Sequence, residues 1–96
     1  MTQFISTKDS KIFVDGILNY DTVKRVFDES LPALSQQKKI QFDFSHVTKA
    51  NSAALALMIE WKKYAKKHSM QISFENIPEK LKLILNASNL NNLFSI

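Results

Sequence analysis

The chain has 96 residues, 45% of them hydrophobic, and carries 13 basic against 9 acidic side chains for a net charge of +4. That length suits one domain, residues 1–96, with a modest core. The absence of cysteine excludes disulfides, thiolate nucleophiles and Cys-based metal sites.

Gln3 to Thr7 and Lys11 to Val14 are rich in Ile, Phe, Val and Thr and are separated by polar Lys8-Asp9-Ser10, which reads as a β-hairpin. Asp15-Gly16 is expected to end the second strand. Asp21 is a candidate N-cap for a helix whose apolar face is Val23, Val26, Phe27, Leu31 and Leu34. Pro32 is expected to end or kink it. From Lys39 to Phe44, Ile40, Phe42 and Phe44 alternate with Lys39, Gln41 and Asp43, the period of a strand. Ser45 to Asn51 then reads as a polar loop.

Ser52 to Lys67 is the clearest helix, with capping residues Asn51-Ser52 at its start and lysines with His68 at its negative end. Gln71 to Phe74 is a further strand. Pro78 suits the first turn of a last helix, in which Leu81, Ile84 and Leu85 share a face, and Leu90, Leu93 and Phe94 are expected to pack the C-terminus down. The order β-β-α-β-α-β-α implies parallel crossovers, a mixed sheet and helices packed on it: an α/β layered domain.

Three features bear on function. Ala53 to Ile59 is apolar all round, so the start of that helix is either wrapped by the rest of the chain or offers an apolar patch to another protein. Left uncovered, such a patch favours homodimers of the isolated chain. Lys62, Lys63, Lys66 and Lys67 form a basic cluster, but Arg25 is the single arginine, which fits a solvated lysine face better than a nucleic-acid site. His46 and His68 have no partners at metal-ligand spacing, and no nucleophile–base pair or glycine-rich phosphate loop is visible. No metal, cofactor or catalytic residue is expected, and no apolar run is long enough to insert in a membrane. Trp61 reads as core.

The segment Phe42 to Trp61, FDFSHVTKANSAALALMIEW, resembles the signature of STAS domains. Asp43, Ser45 and Val47 match its Asp-x-Ser-x-Val, and Asn51, Ser52, Ala53, Ala54 and Leu55 occupy its helix-opening motif. Gly16-Ile17-Leu18-Asn19 resembles the Gly-x-Leu-Asp that follows the second strand in that family. The helix Ala54 to Met58 with Tyr64-Ala65-Lys66-Lys67, and Asn76 to Leu81 with Leu90, look most like the MlaB-like branch.

The resemblance implies the STAS fold and a non-catalytic subunit. Such a subunit docks on the cytosolic ATPase of a phospholipid-transporting ABC system that maintains outer-membrane lipid asymmetry. It would be cytoplasmic and held at the inner membrane through that partner. The implied docking residues are Asn19, Lys49, Ala50, Asn51, Ser52, Ala53 and Ala54. The alternative is an anti-sigma factor antagonist that binds an anti-sigma kinase and is phosphorylated on Ser52. Asn19 and Asn51 stand where kinase-switched antagonists carry aspartates, which weakens that alternative. Apart from the resemblance, Ser52 reads as a helix cap.

Overall fold

The computed structural model describes residues 4–35 and 37–94, without the side chain of Leu93. Gln3 and the Leu93 side chain, both given places in the sequence reading, lie outside the described residues. The elements are β1 (Ile5–Lys8), β2 (Lys11–Leu18), α1 (Val23–Leu34), β3 (Lys39–Ala50), α2 (Ser52–Lys67), β4 (Gln71–Glu75), α3 (Glu79–Ala87) and α4 (Asn91–Phe94). The expected order holds, with the one-turn α4 added at its end.

The strands form one sheet in the order β1-β2-β3-β4. β1 and β2 are an antiparallel hairpin in which Lys8 faces Lys11 and Asp9 takes the turn with φ 55°. β2–β3 and β3–β4 are parallel, with α1 and α2 as their crossovers. Alternation then sorts the side chains. Ile12, Val14, Ile40, Phe42 and Phe44 are buried on one face, against Val26 and Leu34 of α1, Leu57, Met58 and Trp61 of α2, and Leu81 and Leu85 of α3. The other face carries Lys11, Phe13, Gln41, Ser73 and Glu75, all part-exposed or exposed.

Trp61 anchors the buried layer. Its ring stacks on Phe42 with centroids 4.0 Å apart and meets Phe44 edge-on at 6.3 Å. Its Nε1–H donates to Ser30 Oγ at 2.9 Å, and that hydroxyl donates to the Phe27 carbonyl at 2.6 Å. A buried indole thus reaches across to α1 with its polar atom satisfied.

Three local expectations are corrected. β2 does not end at Asp15-Gly16 but continues to Leu18, and Ser45 to Ala50 is strand rather than loop. The β2–β3 register shifts between Phe13 and Asp15 and again between Gly16 and Ile17, each time with one extra residue on β3. These bulges break the period-two signal. Gly16 sits at the second shift with φ 88°, a conformation that side chains disfavour. The N-cap position of α1 is Thr22 rather than Asp21. Pro32 lies in the last turn of α1, which ends two residues later at Leu34.

With its single glycine in β2, the chain closes α2 and α3 by other means. Ser69 and Asn89 take positive φ (54° and 57°) just past the two helices. Met70 N–H donates to the Ala65 carbonyl at 2.8 Å and Leu90 N–H to the Leu85 carbonyl at 3.0 Å, the Schellman pattern.

Among the described residues, the solvent face of the sheet holds one buried carboxylate, Asp43. Burial pushes its pKa up, but hydrogen bonds from Ser45 and Asn76, with the charge of Lys11 3.7 Å away, outweigh that and leave it below the ordinary carboxylate value. Lys11 is raised in turn, chiefly by its 2.7 Å pairing with Glu75. Because the folded pKa of Asp43 is depressed, its contribution to stability is full above the unfolded carboxylate value. It is lost as pH falls through the folded value. Asp43→Asn should therefore cost about 1–3 kcal/mol at neutral pH, since an amide N–H₂ would then face the Asn76 donor. It should also flatten the acid limb. Urea unfolding from neutral pH down to about pH 3 checks both. An unchanged acid slope in the variant would contradict this role.

Candidate docking face at the start of α2

The carboxyl ends of β2 and β3 lie side by side, with Leu18 paired to Ala50. Asn51 N–H donates to the Leu18 carbonyl at 3.2 Å, so the turns after the two strands are tied together. In the first, Asn19 Oδ1 accepts from the N–H groups of Asp21 (2.8 Å) and Thr22 (3.1 Å). Thr22 Oγ1 accepts from Asn19 N–H at 3.0 Å and donates to the Ile17 carbonyl at 2.7 Å. The loop before α1 is thus fixed by its own side chains.

In the second, Asn51 Oδ1 accepts from Ala53 N–H at 2.8 Å, which makes Asn51 the N-cap of α2. That assignment frees Ser52. Its hydroxyl is exposed at the first turn and lies 3.0 Å from Tyr20 Oη, linking the two loops at their tips. Reading Ser52 as the cap is therefore replaced by Asn51 in that role.

Of the residues named from sequence, Lys49 and Ser52 are exposed, and Asn19 and Asn51 are part-exposed. Ala50, Ala53 and Ala54 are buried within this chain. The alanines therefore lie beneath the surface, and their neighbours Lys49 and Ser52 are what it exposes. The question left by the apolar run is answered turn by turn. Ala53, Ala54, Leu57 and Met58 point into the core, Leu55 and Ile59 are half-buried, and Ala56 is exposed between Ser52 and Glu60.

Sequence reasoning missed Tyr20. It is 73% exposed, the most exposed large hydrophobic side chain among the described residues. An aromatic between Asn19 and Asp21, in a loop with no core to fill, was the available signal. A groove of about 380 Å³ runs between α1 and α2, lined by Val23, Phe27, Ala56 and Leu57 with Lys24, Asp28 and Glu60. A projecting aromatic and an apolar furrow with a polar rim are the anatomy of a protein-binding surface. Among the described residues no group of three His, Cys, Asp or Glu could hold a metal, and no helix is long and apolar enough to cross a membrane.

This architecture recurs in solved structures. The anti-sigma factor antagonist SpoIIAA in its unphosphorylated form matches with TM-score 0.72 and 14% identity, over 92% of this chain and 81% of that one. A structure of Mglu matches with TM-score 0.61 and 14% identity over 80% of this chain but 20% of that one. The native form of Mglu gives TM-score 0.56 and 13% identity over 75% and 23%. At such identities the likeness shows the fold, which is the STAS fold of SpoIIAA. Residues 1–95 match the family model described as "Mlab, STAS domain", and the chain belongs to that family. No curated protein matches it. STAS domains generally act by binding other proteins rather than by catalysis.

Proposed function

We propose that this chain is a non-catalytic, MlaB-like subunit that docks on the cytosolic ATPase of a phospholipid-transporting ABC system. It works in the cytoplasm and reaches the inner membrane through that partner. The observation that carries the reading is the Tyr20–Ser52 contact, which ties an exposed aromatic to the first turn of α2, the helix that forms one wall of the α1–α2 groove. Asn19, Lys49 and Asn51 rim the same face, with Ala50, Ala53 and Ala54 beneath. Membership of the MlaB-like family supports the choice of partner.

The likeness to SpoIIAA keeps a second reading in view, an antagonist switched by phosphorylation of Ser52. The exposed hydroxyl at a helix N-terminus could hold a phosphate. Asn19 and Asn51, however, spend their side-chain oxygens on backbone N–H groups. No carboxylate is hydrogen-bonded to Ser52 among the described residues.

Affinity purification from native membranes, followed by mass spectrometry, separates the two. The expected catch is an ABC ATPase with its permease, lost with Ser52→Glu. Recovery of a soluble kinase instead, with a phosphate on Ser52, would replace the first reading by the second.

A further inference from the structure

Separate from the α1–α2 groove, a cleft of about 420 Å³ opens at the carboxyl ends of β2 and β3, beside the start of α3. In open α/β sheets this is the edge where ligands bind. Its lining includes Ile17, Asn19, Lys49, Asn51, Pro78 and Lys80, and no carboxylate. Lys49 and Lys80 are both exposed, and neither is ion-paired among the described residues. The lining is also apolar in part: Ile17, 44% exposed, and Pro78 belong to it, and on α3 the exposed Leu83 (63%) follows Lys80 by three residues, one helical turn.

Resting on the docking reading above, we propose that this cleft receives an acidic segment of the partner protein. Its carboxylates pair with Lys49 and Lys80, and an apolar side chain lies on Ile17 and Leu83. The mixed lining selects the occupant. A small hydrophilic anion leaves the apolar rim wet. A single nucleic-acid strand calls for stacking aromatics and arginine, and the cleft is lined by neither. A flat lipid surface does not enter a concavity. An acidic and apolar peptide satisfies both the charge and the apolar area.

The test is titration calorimetry of the purified chain against its cognate ABC ATPase, at low and high salt. The variants are the double Lys49→Glu/Lys80→Glu and, as a control with the same change in charge, Lys66→Glu/Lys67→Glu. The control lies at the far end of α2, about 20 Å from Ser52. Circular dichroism confirms that each variant folds. The expected result is affinity weakened roughly tenfold or more, with a flatter salt dependence, for the first double variant alone. Wild-type binding by Lys49→Glu/Lys80→Glu, or equal weakening by both doubles, would overturn the cleft proposal and the place of Lys49 on the docking face, and leave docking through Tyr20 and Ser52 standing. No binding by the wild-type chain would overturn both.

Discussion

Trp61→Ala is expected to cost this protein about 3–5 kcal/mol, the range for deleting a large buried aromatic. The indole is 1% exposed and sits where α2 meets the sheet. It stacks on Phe42 and tilts against Phe74 at 6.3 Å, while its N–H closes the bond to Ser30 of α1. Alanine leaves a cavity where the sheet, α1 and α2 meet and leaves the Ser30 hydroxyl without its donor. A domain of this size has a total stability of about 5–15 kcal/mol, so the variant sits near the edge of folding. Each lost kcal/mol lowers the melting temperature by about 4–8 °C in so small a domain. Trp61→Phe keeps most of the ring contact and should lose only about 1–2 kcal/mol. Urea and thermal melts followed by circular dichroism measure both. Loss of less than about 1 kcal/mol in Trp61→Ala would mean that the sheet and helices are held together elsewhere.

The second large effect is on binding and leaves the fold alone. Ser52 occupies the first turn of α2, where a carboxylate is favoured by about 0.3–1 kcal/mol through the helix dipole. Ser52→Glu should therefore melt at or above the wild-type temperature. The same carboxylate replaces the hydroxyl that holds Tyr20 and puts a charge in the middle of the proposed docking face. Partner affinity should fall by roughly 30-fold or more, the scale of a lost hot spot. Tyr20→Ala should do the same by removing the anchor itself. Tyr20→Phe keeps the ring and gives up one exposed hydrogen bond, so its loss should stay under roughly fivefold. This ordering separates a docking role from a structural one, since none of the three changes touches the core.

How much of this was readable in the sequence depended on whether one physical signal acted alone. Lys39 to Phe44 alternates cleanly because only its even-numbered residues face the helices. Ser52 to Lys67 was legible from its cap and its lysine-rich end. The second half of β3 was not. It pairs with β2 alone, since β4 faces only Lys39 to Asp43, and its two bulges scramble the alternation. Exposed except at half-buried Val47, Ser45 to Lys49 has the composition of a loop and the hydrogen bonds of a strand.

The residues of the proposed docking face were legible in part. The family signature pointed to the turn at Asn51-Ser52, and the structure brings the Asn19 loop against it through Leu18 and Asn51. Composition could not divide that segment into side chains a partner can reach and side chains turned inward. Ala53 and Ala54 are adjacent to Ser52 in sequence yet lie on the buried side of the helix. Tyr20 and Lys80 come from segments far apart in the chain, and only the parallel crossovers place both near Asn51.

The most direct test of the account is the affinity of the purified chain for its cognate ABC ATPase, measured by calorimetry beside Tyr20→Ala and Ser52→Glu. The account predicts a saturable complex in the wild type, weakened by roughly 30-fold or more in both variants at unchanged melting temperature. A complex that both variants form with wild-type affinity would contradict the docking face, and the absence of any complex would contradict the function itself.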